Sequence, residues 1–177
     1  MSSAIKNPWE MTDVEILLHD EEAFSRKDES DDALFYEKDR FVAHLDSTAL
    51  ATVEKIIGGL ITDEGPVILD LMAGWDSHLP AELSPYHVAG VGLNKNELAH
   101  NPDLDEYIIH DINKNVSLPF KDDTFDAVIN TVSVDYVTRP VELFEEVRRV
   151  LKPGGLFLVI FSNRFFTPKA VKIWKES

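Results

Sequence analysis

Five short apolar runs recur along the chain: "PVILDLM" at residues 66–72, "YHVAGVGL" at 86–93, "EYIIH" at 106–110, "FDAVINTV" at 125–132 and "GLFLVIFS" at 155–162. Each is continuous rather than alternating, the pattern of a strand covered on both faces in a parallel sheet. The segments between them carry a different period. In "STALATVEKIIGGLI" (47–61), Leu50, Val53, Ile57 and Leu60 fall on one side of a helix. In "TRPVELFEEVRRVLKPGG" (138–155), Thr138 suits a cap, Pro140 a first turn and Glu142 the N-terminal dipole, while Phe144, Val147 and Leu151 share a stripe. Pro153, Gly154 and Gly155 then stop the helix and turn the chain into the last run. Strands alternating with helices predict an α/β domain, a doubly wound, mostly parallel sheet of about five strands. A loop and one final helix, "NRFFTPKAVKIWKES" (163–177), follow the fifth strand.

The chain has 177 residues, the length of about one domain, and is 44% apolar and 28% charged, as ordinary globular proteins are. No window approaches the roughly 18 apolar residues of a membrane span. The opening "MSSAIKNPWE" has neither the basic start nor the apolar block of a signal peptide. Cysteine is absent, which excludes disulfides, thiolate ligands and a cysteine nucleophile, and a cytoplasmic location is expected. A formal charge of −15 disfavours nucleic acid and membrane surfaces as partners. The run "DEEAFSRKDESDD" (20–32), seven acids against two bases, reads as a docking tail or as a solvated arm. The second reading is the plainer one. It divides the chain into an acidic, partly mobile arm over 1–34 and a folded domain over 35–177.

In open α/β sheets, ligands bind beyond the carboxyl ends of the strands where the strand order reverses, so the strand exits hold the candidate chemistry. The first exit is "DLMAGWDSHLP" (70–80). Asp70 ends the strand, Ala73 and Gly74 are small enough to admit a ligand to the backbone, and Asp76 or Ser77 can cap a short helix begun at Pro80. A plain strand-to-helix turn explains the same residues.

Taken in order, "VILDLMAGWDSHL", "VAGVGLN", "IIHDINKNVSLPFKDDTFDAVINTVSVDYV" and "ELFEEVRRVLKPGGLFLVIFSN" resemble the class I S-adenosylmethionine-dependent methyltransferases, especially their small-molecule, quinone-biosynthesis-like branch. The resemblance spans roughly residues 50–165 and is most specific in "LPFKDDTFDAVI" and "EVRRVLKPGGLFLV". It implies a Rossmann-like methyltransferase fold, S-adenosylmethionine as cofactor and S-adenosylhomocysteine as product. Position by position, it implies that Asp70, Ala73, Gly74 and Trp75 wall the methionine part. Asp111, with the backbone of Ile112, would meet the adenine, and Asn130, Thr131, Val132 and Ser133 would line the reaction side. The sequence departs from the family in two places. Where the family turn reads D-x-G-x-G-x-G, Met72 and Asp76 hold the first and third glycine positions, and Gly92 stands where the family has its ribose-binding acid. Asn94, two residues on, or Glu97, on the following helix, is the expected replacement. The family's terminal hairpin has no counterpart before Ser177, so the C-terminus reads as truncated. The fifth strand is then an exposed edge, expected to be covered by the final helix with Trp174 or by a second copy in a homodimer.

The expected function is methyl transfer from S-adenosylmethionine to a small-molecule acceptor. The alternative is a non-catalytic binding or interaction module that keeps the fold with weakened or lost cofactor binding. A nucleotide dehydrogenase is disfavoured because the turn lacks G-x-G-x-x-G. Displacement at a sulfonium needs chiefly alignment and exclusion of water, and a base only when the acceptor is a protonated oxygen or nitrogen. Asp135 and Tyr136 in "SVDYV", and His78, are the candidates for that base. A helix cap, a packed phenol and a loop histidine explain the same three residues. His44 and His110 are isolated, and no spacing predicts a metal site. "FYEKDRFVAHLD" (35–46) reads as a lid, with Arg40 placed to meet a carboxylate of cofactor or acceptor, or to pair with a surface acid. Asn163 and Arg164 fall at the same edge of the sheet.

Overall fold

The computed structural model describes residue 20 and residues 22–176; residues 1–19 and 21 of the expected arm lie outside the described residues. In chain order the elements are α1 (Asp32–Tyr36), α2 (Ser47–Leu60), β1 (Val67–Leu71), β2 (His87–Gly92), α3 (Lys95–Ala99), β3 (Glu106–Ile109), β4 (Phe125–Thr131), a 3-10 turn (Val134–Tyr136), α4 (Pro140–Val150), β5 (Leu151–Ile160) and α5 (Lys172–Glu176). All five apolar runs form strands, paired parallel in the order β3-β2-β1-β4-β5. The order reverses between β1 and β4, so the sheet opens beyond the carboxyl ends of those two strands.

Side chains alternate across the sheet, and β1 sends Leu69 and Leu71 to one face and Ile68 to the other. The first face packs on Leu143, Val147 and Val150 of α4, the second on Val53 and Ile57 of α2. A register shift between Phe125 and Ala127 changes the parity of β4. Phe125 therefore joins Val128 on the α4 face, while Ala127 and Ile129 face α2.

Local details differ from the sequence reading. Leu60 is exposed and Leu50 only half-buried, so the stripe of α2 is narrower than its spacing suggests. In α4 the buried stripe is Leu143, Val147 and Val150; Phe144 is exposed and packs edge-on against Phe157 at 5.2 Å. Leu151 opens β5 instead of closing the helix. Thr138 does not cap α4: its N–H and hydroxyl both donate to Asn113 Oδ1 at 3.0 Å, and Arg139 holds the cap position without a side-chain bond.

The helix expected from Pro80 does not form, and residues 72–86 are irregular. Pro85 disfavours helical backbone at Ser84, which leaves a helix begun at Pro80 too few positions for a stable turn. Asp76 instead accepts a hydrogen bond from the His78 N–H at 2.8 Å.

The acidic run folds back on the C-terminal segment. Arg26 bridges antiparallel to Val171, and Asp32 meets Arg26 Nη1 at 2.8 Å and Lys169 Nζ at 3.0 Å. Lys169 is fully buried and also donates to the Ser30 carbonyl at 2.6 Å. Helix α1 spans residue 34. Beyond β5, an edge of the sheet, Trp174 of α5 meets Phe161 edge-on at 5.3 Å. Among the described residues, no helix is long and apolar enough to cross a membrane.

Candidate active site

The exits of β1, β2 and β4 open into a cavity of about 410 Å3, roofed by residues between 36 and 44 and by the 162–166 segment after β5. That volume is in the range of small-molecule sites. Two residues of its floor hold left-handed backbone: Met72 after β1, with φ +64°, and Val132 after β4, with φ +48°. Such a conformation costs an L side chain about 1–2 kcal/mol, so the surroundings must impose it. They do so by hydrogen bonds. Ala73 N–H donates to the Val91 carbonyl at 2.8 Å and Val132 N–H to the Ile160 carbonyl at 2.7 Å. The Asn130 amide bridges the Leu71 carbonyl and Ser133 Oγ, both at 2.9 Å, tying the two exits together. Asn101, which the sequence reading missed, secures the rest of the loop by donating to the Gly74 carbonyl and Ser77 Oγ at 3.0 Å.

This turn explains Gly92. A Cβ there would lie 2.4 Å from the Ala73 carbonyl oxygen, so no side chain fits at the end of β2. Asn94 has both ends engaged: its Oδ1 caps α3 by accepting from Asn96 and Glu97 N–H, and its Nδ2 donates to the Tyr36 carbonyl and Asp39 Oδ1. Glu97 reaches the crevice. One of its carboxylate oxygens accepts the Arg40 N–H at 2.7 Å, and the other lies 3.6 Å from where a Cβ on Gly74 would sit. Burial raises its pKa above the ordinary value, against the lowering pull of Arg40. At the β3 exit, Asp111 uses Oδ1 to accept from Asn113 and Lys114 N–H, and its Oδ2 lies 3.8 Å from Lys114 Nζ.

Of the residues singled out in the sequence, Ala73, Gly74, Trp75, Asn94, Asp111, Ile112, His78 and Tyr136 line the cavity. Asp70, Asn130 and Asp135 lie behind its wall. Burial pushes the Asp70 carboxyl up to about 6, with Ser77 and His78 opposing. Asp135 is likewise pushed to about 6 by burial, and its Oδ2 has no hydrogen-bond partner. Thr131 Oγ1, in the cavity wall, is buried without a partner as well.

The roof supplies aromatic and cationic groups. The Arg40 guanidinium stands 4.7 Å from the Phe35 ring centroid, 5.2 Å from Phe166 and 5.6 Å from Tyr36. Tyr136 stacks on Phe166, and its hydroxyl accepts the Phe166 N–H at 2.8 Å. Burial raises the Tyr136 pKa. His78 sits with Nδ1 3.2 Å from Asp76 Oδ1; burial lowers its pKa, but the bond and charge of Asp76 outweigh that and the net shift is upward. Arg164 lines the cavity and Asn163 does not. The cavity thus has an end of small residues and carboxylates at β1–β3 and an aromatic, cationic end at β4–β5.

A methyltransferase-domain family model matches residues 71–159, half of the chain, and the chain belongs to that family. Its relatives include enzymes of the quinone-biosynthesis branch. A demethylmenaquinone methyltransferase of Paenarthrobacter aurescens is 30% identical over 130 residues, 68% of this chain and 47% of that protein. The chain spans less than half the length of the curated relatives it matches. Among solved structures, a chain from the complex between the Haloferax volcanii Trm112 methyltransferase activator and a methyltransferase is 27% identical, with TM-score 0.50 over 64% of this chain and 49% of that one. A Pyrococcus horikoshii protein at 23% identity shares the fold, with TM-score 0.55 over 70% of this chain and 62% of that one.

Proposed function

We propose that the chain binds S-adenosylmethionine in the 410 Å3 cavity and directs its methyl group to a small-molecule acceptor at the β4–β5 end. One observation carries the reading: at the switch point of the sheet, one crevice of small-molecule size is lined by the carboxylates Glu97 and Asp111 and by the rings of Tyr136 and Phe166. The residues present suit the cofactor. Ala73 and Gly74 leave the backbone open, and Glu97 supplies the carboxylate that position 92 cannot. Glu97 would hold the ribose hydroxyls, and Asp111 with the backbone of Ile112 the adenine. When bound, S-adenosylmethionine supplies an activated methyl group. The chain's own part is alignment and exclusion of water: Trp75 Nε1 donates to the Val42 carbonyl at 3.2 Å and fastens the roof to the β1 loop. Tyr136 and His78 are the groups facing the cavity that can hold or take a proton from an acceptor.

Titration calorimetry with S-adenosylmethionine, S-adenosylhomocysteine and NAD tests this. Micromolar binding of the two sulfur compounds and none of NAD is expected. Glu97→Gln should weaken S-adenosylhomocysteine by about tenfold, the scale of one charge-assisted hydrogen bond. No binding of either sulfur compound at millimolar concentration would overturn the reading.

A further inference from the structure

The protein carries a net charge of −15, and most of its buried or half-buried arginines are matched to acids. Arg26 pairs with Asp32 and Glu29, Arg139 with Glu142, and Arg149 with Glu146 and Asp122. Arg40, Arg148 and Arg164 have no ion-pair partner among the described residues, and two of these three line the cavity. None of the acids that share the cavity, Asp32, Asp76, Glu97 and Asp111, forms an ion pair with either of these two arginines. Asp32 serves Arg26 and Lys169, Asp76 serves His78, and Glu97 accepts the Arg40 main-chain N–H, not its guanidinium. That guanidinium donates only to the carbonyls of Lys38 and Phe35, so no carboxylate pairs with it directly. Three aromatic rings hold it in place, so little rotamer freedom remains to be lost when an anion arrives. Arg164 stands two residues from Phe166, the ring that Arg40 and Tyr136 both contact.

We propose that Arg40 and Arg164 form a carboxylate-binding site at the aromatic end of the cavity, so that the ligand placed there is an acid. The inference rests on the reading of this cavity as a methyl-transfer site. A carboxylate reaches it from one of two sources: the acceptor, or the methionine end of the cofactor. Guanidinium groups suit either, because their planar donors match a carboxylate in two bonds.

The experiment compares matched pairs of probes on the whole chain and on Arg164→Ala and Arg40→Gln, with thermal midpoints recorded to show that each variant folds. Arg164 is exposed and without a charge partner, so its variant should keep the native midpoint. The first pair is benzoate against benzamide, titrated with and without S-adenosylhomocysteine. The second is S-adenosylhomocysteine against 5′-methylthioadenosine, which lacks the amino-acid end. The native chain should prefer the carboxylate member of at least one pair by about tenfold, and either variant should reduce that preference to about twofold. Loss in the first pair assigns the site to the acceptor, and loss in the second assigns it to the cofactor. Preferences unchanged in both variants would overturn the proposal. Failure of both nucleosides to bind would instead sink the methyl-transfer reading, while the benzoate pair still reads the anion site by itself.

Discussion

Two regions of the molecule hide carboxylates from solvent to a similar extent and treat them oppositely. Asp32, where the two terminal segments meet, is 4% exposed; Asp70 and Asp135, beneath the strand exits, are 4% and 3% exposed. Burial acts to raise the pKa of all three. At Asp32, Arg26, Lys169 and the Asn113 amide, at 2.8, 3.0 and 3.0 Å, overcome it and hold the carboxyl below its ordinary value. Asp70 and Asp135 have no ion-pair partner among the described residues, and both rise to about 6. Loss of solvent alone therefore does not decide the outcome; the ionic partners of Asp32 reverse it. The junction is a structural clamp. The exits keep uncompensated charge and strained backbone, a combination typical of functional sites.

The largest effect should follow from breaking the clamp. Lys169→Met removes a fully buried ammonium and leaves Asp32 with Arg26 as its one cationic partner beside the Asn113 amide. Losing one partner of a buried ion pair destabilises by about 3–5 kcal/mol. Urea unfolding should show a loss of that order, with the midpoint falling accordingly. A loss under about 1 kcal/mol would mean the junction is not a clamp.

Asp70→Asn should act in the other direction and only at higher pH. The folded carboxyl holds its proton up to about pH 6, against an unfolded value of 3.8, so the native state binds more protons between those limits. The stabilisation this gives is complete below pH 3.8 and is lost as pH rises through about 6. At pH 7.5 the native chain therefore carries a penalty of about 3 kcal/mol, which the asparagine removes. The variant should gain up to that amount at pH 7.5 and flatten the profile between pH 4 and 6. Asp32 works in the opposite window: its pKa is lowered, so its contribution is present above the unfolded value and fades as pH falls through the folded one. An asparagine variant at Asp70 that loses equal stability at pH 4.5 and 7.5 would show that its contacts with Ser77 and His78, not its charge, dominate.

What the sequence disclosed follows from what periodicity encodes. All five strands were legible because a strand buried on both faces must be apolar throughout, whereas the strand order, and with it the β1–β4 switch point, came only with the structure. The β1 exit was less legible. Gly92 read as a lost acid, yet it is demanded by the Ala73 carbonyl, a contact between residues 19 positions apart that no local pattern reports. Glu97 was one of two candidates for the vacant role, and only the three-dimensional engagement of Asn94 separates them. The helix expected from Pro80 failed because Pro80 was weighed as its start without Pro85, which ends it within a turn. Asp32 was hidden for another reason: in a run of seven acids, composition cannot tell the one that meets Arg26 and Lys169 from those in water.

The smallest expected effect tests the strain at the exits. Four non-glycine residues among those described hold left-handed backbone, and three of them, Met72, His78 and Val132, line the cavity; none lies in the clamp. Val132→Gly relieves about 1–2 kcal/mol of strain at φ +48°, offset by the roughly 0.5–1 kcal/mol of chain entropy that glycine adds to the unfolded state. A net gain of about 1 kcal/mol in urea unfolding is expected. Met72→Gly should gain nothing, because the Met72 side chain packs against the α4-face core and its burial offsets the relief. The two variants thus separate strain from packing at two exits held by one asparagine. Equal losses in both would show that the left-handed turns are not strained, and the contrast between the exits and the clamp would then rest on charge alone.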